Sequence, residues 1–318
     1  NNKNIKFEGV SKDLAKQLRA SSLLIGSLIS RFRRVRLPFP GGCAIGIRPM
    51  DLHLKGLETL GTKVIESEHF LELEARKLKG AEIFLDFPSV GATENLMIAA
   101  VLAEGETVIK NPAKEPEVVD LQNYLNAIGA KIRGAGGKEI KIQGVKKLGS
   151  GEHYLIPDRI EAGTYMIAAA ITKGDVILKN VILEHLEPII EKLMKMGAII
   201  TESWENSLRV RAPFSLKGAN CKTLPYPGFP TDMQPQLLSL MSLAEGTSIM
   251  IESIFDNRFR YVNELKKMGA DIRVEGRIAI VKGVSGLAGT LVRATDLRGG
   301  AALLLAGLAA DDLTLIEK

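Results

Sequence analysis

Covalent chemistry in this chain points first to Cys43. It lies in the run Arg31-Phe32-Arg33-Arg34-Val35-Arg36-Leu37-Pro38-Phe39-Pro40-Gly41-Gly42-Cys43-Ala44-Ile45-Gly46-Ile47-Arg48-Pro49. Its prolines and glycines forbid regular structure around the thiol. A loop cysteine beside a cation such as Arg48 has a stabilised thiolate and can serve as nucleophile or acid. The plainer reading, an inert small core residue, loses ground in a Pro-Gly-Gly loop, because loops carry function more often than cores do. Cys221, between Asn220 and Lys222 near a strand start, is expected to be inert. The cluster Arg31, Arg33, Arg34 and Arg36 is interleaved with a single aromatic, Phe32, and reads as a solvated helix end or strand rather than a nucleic-acid surface. Ser89-Val90-Gly91 is a turn whose backbone N–H groups could hold phosphate oxygens, or an ordinary helix start before Ala92. Asp232, after Thr231, reads without further information as the cap of the following helix.

The composition limits the classes available. The 318 residues suggest about two domains. The formal net charge of +5 is too small for a polycation that coats nucleic acid. With 46% hydrophobic and 25% charged residues, wholesale disorder is excluded. The longest uncharged apolar stretch, Gly299 to Ala310, is shorter than the roughly 18 residues a membrane-spanning helix needs. Two cysteines make no disulfide framework and fit a reducing cytoplasm. The start at Asn1-Asn2-Lys3-Asn4 is neither a methionine nor a signal, and the chain stops just after the strand-like Leu313-Thr314-Leu315-Ile316, so a fragment is expected.

The elements that must position these residues repeat along the chain. Leu57 to Val64, Leu125 to Ile132, Leu193 to Ile200 and Leu265 to Ile272 share one pattern, with Gly61, Gly129, Gly197 and Gly269 spaced 68, 68 and 72 residues apart. Each glycine closes an amphipathic helix and opens a strand. A second series interleaves: Ala99 to Ile109, Ala168 to Leu178, Leu240 to Ile251 and Leu304 to Ile316 each read as an apolar helix, a stop and a strand. Short alternating strands follow, as in Lys138 to Ile142 and Arg277 to Val281. One unit is therefore about strand–helix–strand–helix–strand–strand. The Ala- and Leu-rich helices near Ala99, Ala168 and Ala301 have few charges, which places helices inside and sheets outside. The domain boundary is expected near Leu155-Ile156-Pro157-Asp158, where proline ends a strand before the next helix. The domains are then residues 1–157, with the Cys43 loop and the Ser89 turn, and 158–318, with Asp232, Arg258 and Arg298. A hinge between them is expected at Pro157-Asp158.

Pro40-Gly41-Gly42-Cys43-Ala44-Ile45-Gly46-Ile47-Arg48-Pro49-Met50-Asp51-Leu52-His53 resembles the active-site loop of the UDP-N-acetylglucosamine enolpyruvyl transferases. The resemblance continues through Leu18-Arg19-Ala20-Ser21, Pro88 to Thr93, Glu115 to Asp120, Pro157 to Glu161, Phe229 to Gln234, Asp256-Asn257-Arg258-Phe259 and Ala294 to Arg298. It implies an inside-out α/β barrel fold of six βαβαββ units, three per domain. It implies transfer of the enolpyruvyl group of phosphoenolpyruvate to the 3-hydroxyl of UDP-N-acetylglucosamine, the first committed step of peptidoglycan synthesis, with no cofactor and no metal.

On that resemblance Cys43 forms a thioether with phosphoenolpyruvate, acts in acid chemistry or product release, and is alkylated by fosfomycin. Asp232 is the base at the sugar hydroxyl. Arg48, Arg258 and Arg298 hold phosphoenolpyruvate, whose phosphate and carboxylate suit bidentate cations. Arg19, Arg48, Pro49, Met50, Asp51, Leu52, Ser89, Val90, Gly91, Asp232 and Ile254 bind the nucleotide sugar. Phe87 stands where many relatives carry Lys, which puts one diphosphate contact in doubt. Relatives also carry a further stretch at each end, with a Lys-Asn pair and another arginine at the cleft, so weak substrate binding is expected of this chain alone. The alternatives are a shikimate-pathway enolpyruvyl transferase, against which the Cys43 loop and Ser89 turn speak, and a non-catalytic paralogue that only binds the nucleotide sugar. A nucleic-acid-binding module is a further class, separable by salt-dependent retention on heparin.

Overall fold

The computed structural model describes residues 11–42, 45, 49–67 and 70–317. The chain divides into two compact units, one ending at Ile156 and one beginning at Pro157, with Ile45 counted in the second. Each has its own apolar core.

The first unit opens with α1 (Lys12–Gln17), a 3-10 turn (Arg19–Leu23) and α2 (Leu24–Phe32). There follow β1 (Arg34–Pro38), α3 (Asp51–Thr59), β2 (Lys63–Glu66) and β3 (Phe70–Glu74). Next come β4 (Glu82–Phe84), α4 (Val90–Ala100), β5 (Glu106–Lys110), α5 (Pro116–Ala127), β6 (Lys131–Arg133) and β7 (Glu139–Gln143), the full strand–helix–strand–helix–strand–strand order. The second unit runs α6 (Arg159–Ile171), β8 (Asp175–Lys179), α7 (Glu187–Met196), β9 (Ile199–Glu202) and β10 (Ser207–Arg211). A second full repeat has β11 (Cys221–Lys222), α8 (Gln234–Met241), β12 (Thr247–Ile251), α9 (Val262–Lys267), β13 (Asp271–Glu275) and β14 (Ile278–Lys282). It is followed by β15 (Leu291–Arg293), α10 (Leu297–Leu308) and β16 (Leu315–Glu317).

One topology recurs in the sheets: the orders β1-β3-β2, β5-β7-β6, β8-β10-β9 and β12-β14-β13 are the same arrangement. The short strands β4, β11 and β15 add in parallel beside β5, β12 and β16. The repeating glycines sit where the helices must end. Gly61, Gly129, Gly197 and Gly269 all have φ between +94° and +105°, a conformation that a Cβ would strain.

Within each unit the apolar helices, α4 in the first and α6 and α8 in the second, lie inside, whereas α1, α5, α7 and α9 bury one face only. Every residue of α8 is buried, and α8 packs on α10 and α6; in the first unit α4 packs on α2 and α3. Many strands alternate buried and exposed residues, as along β14, and so show an outer face to water, whereas β2, β8, β9 and β16 bury no residue.

One expected element does not form. Residues 151–158 carry no strand, and Tyr154 and Leu155 are 89% and 82% exposed. With no apolar surface to cover them, and with Pro157 lacking an N–H, nothing recruits this segment to a sheet edge. Among the described residues, the sheet β8-β10-β9 accordingly lacks the parallel edge strand seen beside β5 and β12.

Candidate active site

Three charged side chains meet in the second unit. Asp232 lies in a 3-10 turn, Thr231–Met233, just before α8, whose N-cap is Met233 without a side-chain cap bond. Asp232 therefore caps no helix, contrary to the simplest reading of its position. Its Oδ1 accepts from Arg258 Nη2 at 2.8 Å and its Oδ2 from Arg298 Nη2 at 3.1 Å. Arg258 is 2% exposed and also donates to the Thr231 carbonyl at 3.4 Å. Arg298 stands in the first turn of α10, fixed because Asp296 accepts from the backbone N–H groups of Arg298 and Gly299. Two cations thus share one carboxylate, and their guanidiniums are of the kind that hold phosphate and carboxylate groups. Ile254 lies on the loop between β12 and Arg258, and its N–H donates to Glu252 at 2.8 Å.

The nucleotide-sugar candidates of the first unit also come together. Arg19 begins the 3-10 turn, and its Nη2 points to Met50 Sδ at 3.3 Å. Met50 is buried just before α3, Pro49 and Asp51 are exposed beside it, and Leu52 is half-buried. Asp51 stands in the first turn of α3, where a negative charge favours the helix. Ser89 is the N-cap of α4: its hydroxyl accepts from Ala92 N–H at 3.3 Å. Val90 and Gly91 open that helix, where N–H groups have no partner inside the helix. The Ser89 turn is thus a capped helix start, an end of a helix that favours anions. Phe87 is 44% exposed, and its carbonyl accepts the Ser89 N–H.

Sequence reasoning missed the group that binds this corner together. His53 is 4% exposed, with Nδ1 3.0 Å from Asn95 Nδ2; the same amide donates to the Ser22 carbonyl at 3.0 Å. Asn95 Oδ1 accepts the Gly26 N–H at 2.6 Å. One asparagine on α4 thus ties down the 3-10 turn, α2 and α3. Because Nδ1 faces a donor, the neutral ring carries its proton on Nε2. Burial, and then the charge of Arg19, pushes the His53 pKa down to about 4, against an opposing pull from Asp51. A Cβ on Gly91 would come within 3.3 Å of His53 Cε1, so α4 begins against the ring. Glu94, on the same helix, is pushed up to about 7 by burial and then by Glu117 and Glu115.

Cys43 and Arg48 lie outside the described residues. Between them Ile45 is described: it is 4% exposed, and its carbonyl accepts the N–H of Asn257, next to Arg258. Cys221 is on β11, buried, with its thiol pushed up to about 12 chiefly by burial. Of the basic cluster, Arg34 pairs with Glu72 and Glu74, and Arg36 stacks on Phe70, as a solvated strand would have it. Among the described residues no group of three or more His, Cys, Asp or Glu could hold a metal, and no helix is long and apolar enough to cross a membrane.

The chain belongs to the EPSP synthase (3-phosphoshikimate 1-carboxyvinyltransferase) family, whose model matches residues 2–318, and so to the carboxyvinyltransferases. It is 57% identical over 308 residues to UDP-N-acetylglucosamine 1-carboxyvinyltransferase 1 of Carboxydothermus hydrogenoformans, covering 97% of this chain and 73% of that protein. It is 54% identical over 305 residues to UDP-N-acetylglucosamine 1-carboxyvinyltransferase 1 of Caldanaerobacter subterraneus subsp. tengcongensis, covering 96% and 73%. Among solved structures, the enolpyruvyl transferase NikO from Streptomyces tendae superposes with a TM-score of 0.86 at 25% identity, covering 97% of this chain and 74% of that one. EPSP synthase from Acinetobacter baumannii shares the fold at a TM-score of 0.68 and 24% identity, covering 95% and 73%.

Proposed function

We propose that the protein transfers the enolpyruvyl group of phosphoenolpyruvate to the 3-hydroxyl of UDP-N-acetylglucosamine and releases phosphate. The observation that carries this reading is Asp232 held between Arg258 and Arg298, in a chain whose relatives at 57% and 54% identity are named for that nucleotide sugar. The hydroxyl must lose a proton as it attacks C2 of the enolpyruvate, and C3 must gain one; the tetrahedral ketal then gives up a C3 proton as its C2–O bond to phosphate breaks, which restores the double bond and releases phosphate. Asp232 takes the hydroxyl proton. Arg258, Arg298 and Arg48 bind the phosphate and carboxylate of the donor. An arriving anion gives the guanidiniums a second partner, which loosens their hold on Asp232 and leaves its oxygens available to the hydroxyl.

Cys43 adds reversibly across the donor's double bond, sulfur to C2 and a proton to C3, giving a thioether that reverts to thiol and donor before the sugar hydroxyl attacks, and it assists acid chemistry or product release; it is the site at which fosfomycin reacts. Arg19, the segment Arg48 to Leu52, the Ser89-Val90-Gly91 turn and Ile254 bind the nucleotide sugar. The neutral His53 keeps the first unit's corner rigid without adding a charge to it. The reaction belongs to peptidoglycan synthesis in the cytoplasm, and so to cell shape, cell cycle and division.

The family's description favours a second acceptor, 3-phosphoshikimate. Phosphate release separates the two. The protein as its gene encodes it, given phosphoenolpyruvate, should release phosphate with UDP-N-acetylglucosamine and not with shikimate 3-phosphate. The reverse preference would assign it to the other acceptor, and binding of the nucleotide sugar without phosphate release would make it a non-catalytic paralogue.

A further inference from the structure

Glu252, at the end of β12, is fully buried and has no part in the chemistry described above. Burying a carboxylate is expensive unless hydrogen bonds replace the lost water, and a well-packed apolar side chain would ordinarily serve stability better. Here the carboxylate is fully engaged. Its Oε1 accepts from the Thr223 hydroxyl at 2.9 Å and from the backbone N–H groups of Ile254 and Phe255 at 2.8 and 3.2 Å. Its Oε2 accepts from the Thr231 hydroxyl at 2.9 Å. The backbone around it is pinned as well, with Glu252 N–H on the Arg277 carbonyl and Ser253 N–H on the Thr223 hydroxyl.

The partners of the two oxygens differ in what they carry. Oε1 holds the loop that bears Ile254 and leads to Arg258, whereas Oε2 holds the residue immediately before Asp232. The same two segments meet again where Arg258 donates to the Thr231 carbonyl and to Asp232. We infer that Glu252 is a positioning residue, a clamp between the Thr231-Asp232 turn and the Ile254–Arg258 loop that sets Asp232 in register with Arg258 and Arg298. The inference rests on the reading of Asp232 as the base. The clamp itself is a matter of structure and can be read without any substrate.

Glu252→Ala would leave two backbone N–H groups without their acceptor inside the fold and endanger folding, so the test falls on the link itself. Thr231→Val removes the hydroxyl bound to Oε2 at nearly constant volume; Thr231→Ser keeps it. Amide hydrogen exchange should quicken about tenfold in both 231–236 and 252–258 of Thr231→Val and return to the unaltered rates in Thr231→Ser. In turnover, Thr231→Val should lose roughly tenfold to a hundredfold in kcat, with KM for UDP-N-acetylglucosamine changed much less, and Thr231→Ser should recover most of it. Unchanged exchange at 252–258 in Thr231→Val would overturn the clamp. Equal kcat in the Val and Ser variants would overturn its role in positioning Asp232. An unaltered protein that shows no turnover would remove the proposed reaction, while the exchange comparison still decides the clamp.

Discussion

Two groups of the first unit, the buried His53 and the half-buried Glu94, should make its stability depend on pH in opposite senses, and Glu94→Gln should separate them. Burial and the nearby Glu117 and Glu115 raise the Glu94 carboxyl from 4.5 to about 7. The folded state then binds more protons than the unfolded one between those values, so stability is full below pH 4.5 and declines as pH rises through 7. At about 1.4 kcal/mol per pH unit the cost at pH 8 is about 3 kcal/mol. His53 does the opposite. Its pKa is depressed from 6.5 to about 4, so the unfolded state binds more protons, and stability is full above pH 6.5 and declines as pH falls towards 4. The His53 contribution is also about 3 kcal/mol. Between pH 4.5 and 6.5 the slopes offset each other, and this pair should contribute little net change. Glu94→Gln, isosteric and uncharged, should gain up to about 3 kcal/mol at pH 8 and then lose roughly 2–3 kcal/mol on acidification from pH 7 to 4.5. Urea midpoints at constant m-value, measured in steps from pH 4.5 to 8, provide the assay. Midpoints of the variant that run parallel to the unaltered protein at every pH would refute the reasoning.

The remaining expectations concern the thiols and one close contact. Cys221, buried with its thiol at about 12, should resist iodoacetamide at pH 8, while Cys43 reacts. Fosfomycin should leave one adduct per chain, on Cys43, faster with UDP-N-acetylglucosamine present; peptide mass spectrometry showing the label on Cys221 would count against both the site and the proposed function. Gly26→Ala would drive a Cβ to 2.4 Å from the Asn95 carbonyl oxygen and 2.5 Å from its Oδ1, disrupting the His53–Asn95 hub. It should cost about 1–3 kcal/mol or more by urea denaturation. A loss no larger than that of an exposed-site control would show that α2 and α4 can part without penalty.

Much of the architecture is written locally and was legible for that reason. A glycine that must end a helix at positive φ announces itself in Gly61, Gly129, Gly197 and Gly269, and the spacing of the four exposes the repeat. The strand expected at Leu155-Ile156 failed because its apolar residues had no neighbour to cover them, which is a property of the sheet and not of the segment. Asp232 shows the same limit in the site. Its local environment suggests a cap, but its partners Arg258 and Arg298 are 26 and 66 residues away, and only folding brings them to it. Glu252 and His53 were missed altogether, because their roles depend on Thr223, Thr231 and Asn95, whose separation no local pattern encodes. The weak signal that existed was a carboxylate directly after the apolar run Ile249-Met250-Ile251, and a histidine directly after Arg48 to Leu52.

Asp232→Asn tests the account most directly. The amide has nearly the same shape and still offers one oxygen to the arginines, but it cannot accept the sugar hydroxyl proton, so the loss should fall on the transition state. In a variant confirmed as folded by circular dichroism, kcat should drop by roughly 10²–10⁴. The dissociation constant of UDP-N-acetylglucosamine, measured by calorimetry, should change by less than about tenfold, or about 1.4 kcal/mol. Turnover at the unaltered rate would contradict the central claim that Asp232, held between Arg258 and Arg298, is the base of the reaction.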